Sequence, residues 1–383
     1  MCYWEKDNLR SVEKDQQNLI PSYSKKAIFR FCRVTGGKEN AERCDLESAA
    51  PVKCSTESEH LIGVDLGGTR VRVVLSDEKG NFIEKRREEV DKKKAGAIAD
   101  QIVRLTRFLC AKHGFDVKSL RGVGVVSAGP LIQEEGVLFK PPNLRFDRVP
   151  ITKPIMEKLG IPACLINDCV GAVLGEKMFG AAKGLDNCVY VTISTGLGCG
   201  AIVNGTLLLG KDGNAHEVGH FVIDSQGRLT CGCGKRGHWE AYCSGRNIPN
   251  YVRMRLKETS AKTVKESLLF KTLEGDLSKL VAADLFACAK RGDGLSVKFV
   301  NEIGVLNAMG FAGVINAYDP SLITVGGTVT FRNKKMILSP IKKYVKDYAV
   351  NRVPKIMVTP LGENVGVYGA VATVLKYIPS AVK

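Results

Sequence analysis

A regular pattern of polar and apolar residues begins at residue 61. It consists of an apolar run and an alternating segment, with a glycine-rich turn between them. Residues 61–64 carry no polar side chain, residues 65–69 read Asp-Leu-Gly-Gly-Thr, and residues 70–76 largely alternate between polar and apolar side chains. An apolar run is typical of a buried strand, and a period of two is typical of a strand with one wet face. The pattern therefore predicts a β-hairpin with a tight turn at 65–69.

Strands and helices continue to alternate beyond this hairpin, as in an α/β protein. Further strands are predicted at residues 81–90, 120–127, 163–166, 187–194, 201–203, between 220 and 231, 320–327 and 356–360. Helices are predicted at residues 95–112, 151–159, from 168 to 180, in several segments of 248–291, at 295–317 and at 366–377.

The hairpin pattern occurs a second time, because strand 187–194 runs into Thr-Gly-Leu-Gly-Cys-Gly before another apolar strand. Glycine turns leave backbone N–H groups free to face an anion. Asp65 would repel a bare phosphate there, unless Mg²⁺ lies between them. Two such turns in a chain of 383 residues predict two related lobes that grip one nucleotide. For either turn alone, an ordinary hairpin remains the alternative.

Composition narrows the class of protein. The chain is 44% hydrophobic and 25% charged, which is typical of a soluble globular protein. Its net charge of +16 suggests anionic partners, but the basic residues are scattered, so a solvated surface is favoured over a nucleic-acid face. We expect no membrane span, no signal peptide and a cytoplasmic location. Many of the 13 cysteines lie in apolar runs, which predicts reduced core thiols.

Residues 1–60 show no clear period. We interpret them as a poorly ordered N-terminal extension or as sequence upstream of the natural start. A regulatory or DNA-binding appendage is the alternative, and the absence of paired helical stripes argues against it.

Four nitrogen and sulfur ligands occur within nineteen positions: His220, Cys231, Cys233 and His238. Glycine-rich turns separate them, so they could surround one tetrahedral Zn²⁺. The Cys-x-Cys spacing is tighter than that of a zinc finger and predicts a loop site. The alternative is two free thiols and two surface histidines.

Three carboxylates are candidates for chemistry. Asp168 follows strand 163–166, where ligand groups of α/β proteins cluster, and could be a general base or a helix N-cap. Glu217 and Glu240 flank the zinc loop and could bind vicinal sugar hydroxyls or be solvated surface acids.

The ordered set of motifs resembles the ROK family (repressors, open reading frames, kinases), and within it the glucokinase-type sugar kinases. The resemblance covers residues 61–379. It rests on Asp-Leu-Gly-Gly-Thr at 65–69, Asn-Asp at 167–168, Ser-Thr-Gly-Leu-Gly at 194–198, Glu-Val-Gly-His at 217–220, Cys-Gly-Cys-Gly-x-x-Gly-x-x-Glu at 231–240 and Val-Gly-Gly-Thr at 325–328.

The resemblance implies a two-lobed, actin-like (ribonuclease H-like) α/β ATPase fold. Its small lobe would be residues 61–168, closed by helix 366–379, and its large lobe residues 169–365 with the zinc loop. It implies ATP-dependent transfer of phosphate to the 6-hydroxyl of a hexose, most simply glucose. Fructose, mannose, N-acetylmannosamine or allose could be the sugar instead, and polyphosphate could be the donor. A homodimer is common in the family, and a sugar-sensing transcriptional repressor is the alternative function.

The resemblance also implies residue roles. Asp65 would bind Mg²⁺, and Asp168 would be the base. The phosphates would contact Gly67, Gly68 and Thr69 in the first turn and Thr195, Gly196 and Gly198 in the second, and the adenosine would lie near Gly326 and Gly327. The sugar would contact Asn143, Asn167, Asp168, Glu217, His220 and Glu240. Structural Zn²⁺ would bind His220, Cys231, Cys233 and His238.

Two positions depart from the family pattern. The family usually has cysteine where this chain has His238, which leaves Cys243 as a substitute ligand to consider. It usually has glycine where this chain has His216, whose side chain must then lie near the sugar pocket and could alter specificity.

Overall fold

The computed structural model describes residues 59–141, 144, 146–211 and 213–380. The predicted N-terminal extension therefore lies almost entirely outside the described residues, as does Asn143. The strands are β1 (His60–Leu66), β2 (Arg70–Asp77), β3 (Phe82–Glu89), β4 (Val123–Ser127), β5 (Leu131–Ile132), β6 (Val137–Phe139), β7 (Arg148–Pro150), β8 (Ala163–Asn167), β9 (Cys188–Ile193), β10 (Leu197–Val203), β11 (Thr206–Leu207), β12 (Leu322–Gly326) and β13 (Lys355–Val358).

Twelve α-helices occur in the described part of the chain. They are α1 (Ala97–His113), α2 (Thr152–Leu159), α3 (Asp168–Phe179), α4 (Glu240–Cys243), α5 (Ile248–Lys257), α6 (Ala261–Glu266), α7 (Leu268–Thr272), α8 (Ala282–Lys290), α9 (Gly294–Tyr318), α10 (Thr328–Arg332), α11 (Lys334–Tyr344) and α12 (Val365–Tyr377). None of the described helices has both the length and the apolar character needed to cross a membrane.

Two five-stranded sheets have the same strand arrangement. The first has the order β3-β2-β1-β4-β8, and the second has the order β11-β10-β9-β12-β13. In each sheet an antiparallel meander is followed by two parallel strands. The repeat that the sequence predicts is thus present in the strand order. Because parallel strands end at the same edge, each sheet brings its glycine turn beside the ends of the following parallel strands.

Helix α12 packs against β1, β4 and α3, and so joins the two ends of the patterned chain. Glycines allow α12 and α3 to approach closely, since a Cβ on Gly369 would lie 2.4 Å from the carbonyl carbon of Gly171. This close packing fixes the position of α3, which begins at Asp168. Buried aliphatic side chains fill a core on each sheet, with α1 against the first and α9 against the second.

The first glycine turn is shorter than predicted. Strand β1 continues to Leu66, so Asp65 lies in the strand and pairs with Arg72. The Gly67 N–H donates to the carbonyl of Arg70 at 2.9 Å, which closes the chain within three residues. The turn therefore contains only residues 67–69.

The second glycine turn is also shorter than predicted, and for a different reason. Strand β10 begins at Leu197, so Gly198 and Gly200 belong to the β-ladder with β9. A Cβ on Gly200 would lie 2.1 Å from the carbonyl oxygen of Cys169 in α3. Gly200 therefore makes room for a helix and does not form the turn.

The strand predicted between residues 220 and 231 is wrong. This segment makes isolated bridges only, Val222 with His238 and Thr230 with Arg236. Its polar groups are used in tight turns around Asp224 instead. The nine cysteines in the described part of the chain are free thiols, and seven of them are buried, as the apolar runs predict.

Candidate active site

The first glycine turn presents unpaired amides. Among the described residues, the N–H groups of Gly68 and Thr69 have no acceptor. Neighbouring backbone amides in such a turn attract anions. The turn therefore offers two donors to a phosphate, at the end of β1.

Asp65 lies two residues before this turn and faces the first turn of α12. A Cβ on Gly366 would lie 2.2 Å from Asp65 Oδ2, so only glycine leaves room for the carboxylate. Arg72 Nη2 donates to the same oxygen, and Arg72 Nη1 donates to the carbonyl of Glu363 at 2.5 Å. No motif in the sequence marks Arg72 for this contact. The signal was the hairpin register, which places position 72 opposite position 65.

The second glycine turn joins β9 to β10. Its Ser194 N–H donates to the carbonyl of Gly196 at 2.9 Å, and the N–H groups of Thr195 and Gly196 have no acceptor among the described residues. The two turns thus offer the same pair of free donors. Gly198, predicted to contact phosphate, lies in the ladder of β10, where a Cβ would be 2.7 Å from Cys169 Sγ.

The pair Gly326 and Gly327 ends β12 next to this second turn. Gly327 has a φ of 91°, in the left-handed region that side chains disfavour. A Cβ there would lie 2.4 Å from the carbonyl oxygen of Ile193, the last residue of β9. The parallel pairing of β9 and β12 therefore brings two predicted nucleotide elements to the same sheet edge.

Asp168 is the first residue of α3, and Asn167 is its N-cap. Asn167 Oδ1 accepts the N–H groups of Cys169 at 2.8 Å and Val170 at 3.3 Å. The N-cap role considered for Asp168 is thus filled by its neighbour. Asn167 Nδ2 lies 3.7 Å from the place of a Cβ on Gly129 and makes none of the capping bonds, so this amide nitrogen is available to a hydroxyl.

The environment of Asp168 favours its protonated form. Burial raises the pKa of this carboxyl from 3.8 to about 6, and the negative charges of Asp65 and Glu217 add to the effect. The opposing hydrogen bond, from the Cys169 N–H at 2.8 Å, lowers the pKa. The charges of Asp65, beside the first glycine turn, and of Glu217 therefore both act on Asp168, and a pKa near 6 suits a group that accepts a proton near neutral pH.

The four predicted metal ligands lie together. One ligand atom from each of His220, Cys231, Cys233 and His238 lies within 4.8 Å of all the others. The two Nδ1 atoms are 3.2 Å apart, Cys231 Sγ is 3.7 Å from His220 Nδ1, and Cys233 Sγ is 3.3 Å from His238 Nδ1. We call these four residues the His/Cys cluster.

The His/Cys cluster fits Zn²⁺ chemically. Two imidazole nitrogens and two thiols form a four-ligand donor set of the type that structural zinc sites use. Cys243 is not part of the set, because it is buried and its Sγ lies 3.8 Å from the carbonyl oxygen of Ile303. The substitute-ligand alternative for Cys243 is therefore wrong for this structure.

A buried carboxylate holds the loop that carries Cys231. Asp224 Oδ2 accepts hydrogen bonds from Tyr242 Oη at 2.5 Å and from Arg228 Nε at 3.0 Å, and Tyr242 Oη accepts the Leu229 N–H at 3.0 Å. Burial opposes the charge of Asp224, but these hydrogen bonds lower its pKa to about 2. This network was not predicted, since no local pattern in the sequence links these positions.

Glu217 and Glu240 contact different residues of the His/Cys cluster. Glu217 Oε2 is 3.6 Å from His220 Nε2, the ring nitrogen that faces away from the cluster. Glu240 Oε1 is 3.6 Å from Cys231 Sγ, while Glu240 Oε2 accepts the Leu197 N–H at 2.8 Å. Glu240 therefore contacts the second glycine turn as well as the cluster.

His216, which precedes Glu217, has a backbone φ of 62°. This left-handed geometry explains why glycine suits the position. The ring is buried, and burial lowers the pKa of His216 to about 4, so it is neutral at pH 7. It packs beside the backbone of Cys199 in β10.

Comparisons with known proteins agree with this architecture. The ROK family model matches residues 61–377. A glucokinase from Pyrobaculum calidifontis is 34% identical over 315 residues, which are 82% of this chain and 95% of that protein. A xylose repressor from Bacillus subtilis is 24% identical over 319 residues, which are 82% of this chain and 77% of the repressor.

A solved structure shares the fold. The ROK family glucokinase from Streptomyces griseus, in complex with glucose and AMPPNP, aligns with a TM-score of 0.66 at 28% identity, over 83% of this chain and 99% of that chain. The prediction of an actin-like, sugar-kinase α/β fold is confirmed. Since the family model covers most of the chain, this protein belongs to the ROK family.

Proposed function

We propose that this protein transfers the γ-phosphate of MgATP to the 6-hydroxyl of a hexose, with glucose as the preferred sugar. The observation that carries the proposal is that Asp168 begins α3 at the carboxyl end of β8, in the sheet whose β1 carries Asp65, and that burial with the charges of Asp65 and Glu217 raises its pKa to about 6. A base placed between a phosphate turn and a sugar-binding carboxylate is what such a transfer requires. The glucokinase relatives support the choice of reaction and sugar.

The donor would bind across the two glycine turns. The free amides of Gly68 and Thr69, and those of Thr195 and Gly196, are suited to two groups of phosphate oxygens. The adenosine would lie near Gly326 and Gly327, at the end of β12 and beside the second turn. Phosphoryl transfer relies mainly on such positioning, because the transition state is loose and highly charged.

Two metal ions accompany this proposal. Asp65 would hold Mg²⁺, which supplies positive charge against the transferred phosphoryl group. The His/Cys cluster would hold Zn²⁺, which supplies no reactive ligand and orients the loop that carries the sugar-binding residues. Arg72 already balances the charge of Asp65 in this structure.

The sugar, which receives the phosphate, would be bound and deprotonated by side chains of this protein. His220 would use Nδ1 in the cluster and direct Nε2, beside Glu217, to a sugar hydroxyl. Asp168 would accept the proton of the 6-hydroxyl as the oxygen attacks phosphorus, and the Asn167 side-chain amide would donate to a neighbouring hydroxyl.

The rate should fall in acid. Since Asp168 must be unprotonated to act as a base, we expect kcat/KM for the sugar to be flat near pH 7.5 and to drop about tenfold per pH unit below about pH 6. Steady-state rates from pH 5 to 8.5, at fixed free Mg²⁺, measure this profile.

Acid unfolding is a separate effect and is checked by thermal melting at each pH. The raised pKa means that the folded chain binds this proton more tightly than the unfolded chain does. Protonation of Asp168 therefore stabilises the fold as the pH falls from about 6 towards 4. A constant kcat/KM down to pH 5 contradicts the assignment of Asp168 as the base.

The direct test is release of ADP from MgATP with a panel of hexoses. We expect the highest kcat/KM with glucose and lower values with mannose, fructose, allose and N-acetylmannosamine. The Asp168→Asn variant, purified identically, reports any contaminating kinase. Turnover with inorganic polyphosphate but not with ATP would identify polyphosphate as the phosphoryl donor. No turnover with any sugar would overturn the proposal.

A sugar-sensing repressor is the second candidate, because a xylose repressor is among the relatives. Both glycine turns and the candidate base favour the kinase. Salt-sensitive binding of a specific duplex by the full chain, without sugar-dependent ADP release, would favour the repressor.

A further inference from the structure

The segment that follows the His/Cys cluster holds the second glycine turn at three points. The Gly245 N–H donates to the carbonyl of Ser194 at 2.7 Å, and the Arg246 N–H donates to that of Thr195 at 3.2 Å. The third point is the 2.8 Å hydrogen bond from the Leu197 N–H to Glu240 Oε2. The backbone on both sides of the two free amides is therefore attached to residues 240–246.

The Glu240 carboxylate is the only one of these contacts that uses a side chain, among the described residues. Its Oε2 lies 2.8 Å from the place that a Cβ on Gly196 would take. A larger residue at position 196 would therefore collide with the Glu240 carboxylate. Glu240 accepts the Leu197 N–H, the amide directly after those of Thr195 and Gly196, which have no acceptor among the described residues.

The same carboxylate is tied to the His/Cys cluster. Its Oε1 accepts a hydrogen bond from the Cys231 thiol at 3.6 Å, and a bound metal would replace the proton of this thiol. Helix α4, which begins at Glu240, is also joined to the cluster through the backbone, since the Ala241 N–H donates to the carbonyl of His238 at 2.9 Å. The link that would persist with a bound metal is the backbone one, which joins the position of Glu240 to His238.

We propose that Glu240 is a positioning residue for the phosphate-binding turn, and that it makes nucleotide affinity depend on metal occupancy of the His/Cys cluster. This inference rests on the proposed kinase function, and it adds a donor-side role for a residue on the sugar side. A charged acceptor beneath a turn restricts the backbone directions of its free amides, which is the form of preorganisation that phosphate binding needs.

Nucleotide binding without sugar isolates this role. Calorimetric titration of the full chain with Mg·AMPPNP compares the wild type with Glu240→Ala, Glu240→Gln and Glu217→Gln. We expect Glu240→Ala to raise the nucleotide Kd about tenfold, because the Leu197 N–H loses a charged acceptor. Glu240→Gln keeps an acceptor oxygen and should stay within about threefold of the wild type.

Glu217→Gln is the matched control, because its carboxylate lies beside His220 and no hydrogen bond joins it to the turn among the described contacts. It should weaken glucose binding and leave the nucleotide Kd unchanged. An unchanged nucleotide Kd in Glu240→Ala, with glucose binding lost, overturns the positioning role. Failure of the wild type to bind Mg·AMPPNP at all counts against the kinase proposal itself.

Removal of the metal tests the coupling. After treatment with a chelator, the wild type should lose nucleotide affinity by a factor similar to that of Glu240→Ala, and the Leu197 amide should exchange hydrogen faster. Glu240→Ala should lose little more, because the connection is already broken. If metal removal lowers the nucleotide affinity of Glu240→Ala by the same factor as that of the wild type, the coupling is overturned. Circular dichroism melts verify that each protein is folded.

Discussion

Asp168→Asn is expected to lower kcat by about a thousandfold or more, while glucose still binds with nearly wild-type affinity. Asparagine preserves shape and hydrogen bonding but cannot accept the proton of the attacking hydroxyl, and general-base catalysis contributes about 10²–10⁴ to the rate. Steady-state kinetics and calorimetric glucose titration measure the two quantities. A kcat within about tenfold of the wild type would mean that Asp168 is not the base.

A matched substitution controls for the change of charge. Asp116→Asn is isosteric, removes one negative charge from the surface and lies at the start of a short 3₁₀ turn, where the carboxylate accepts the Lys118 N–H. It should leave kcat unchanged. Because its pKa is raised, charged Asp168 destabilises the fold at neutral pH, so Asp168→Asn should melt no lower than the wild type. A much lower melting temperature would attribute the loss of kcat to the fold.

Cys233→Ala is expected to remove the metal and to weaken glucose binding by about tenfold or more. The cysteine is exposed, so its loss leaves no cavity in the core. Loss of one of four ligands should release Zn²⁺ and free His220, whose orientation we assign to the cluster, and such orienting shells contribute about 10–100-fold. Elemental analysis, glucose titration and thermal melting should change together.

Cys243→Ala is the matched control for this experiment. Cys243 is close in sequence but lies in the core beside the Ile303 carbonyl, so its replacement should cost some stability and keep the metal. Retention of one metal per chain in Cys233→Ala, or its loss in Cys243→Ala, would contradict the ligand set. Absence of metal from the wild type would contradict the site altogether.

The candidate site concentrates like charge. Asp65 and Glu217 both raise the pKa of Asp168, and only Arg72 among the described residues pairs with Asp65. Such a group of carboxylates destabilises the fold unless cations and substrate join it. Active sites often lower the stability of a fold in this way, because their charged groups are placed for binding and catalysis.

The sequence by itself was sufficient for most of the long helices and strands and for the grouping of the four metal-ligand candidates. Apolar spacing predicted a helix at residues 95–112, and α1 ends next to Gly114, whose φ of 71° makes it a left-handed C-cap. Ligand spacing predicted the His/Cys cluster, and the duplicated hairpin predicted a repeat, which the two sheets show in their strand order. These features are local, because periodicity, capping and loop ligands depend on neighbours in the chain.

Only the tertiary structure decided what the same residues contact. Gly198 and Gly200 were predicted to form the second turn, but they make room for α3, whose position depends on its packing against α12. Arg72 reaches Asp65 through strand register, and Glu240 reaches Leu197 across 43 positions. Asp168 owes its raised pKa to burial and to carboxylates from distant segments. Such contacts depend on how elements that are distant in the chain pack together, and the periodicity of a single segment does not predict that packing.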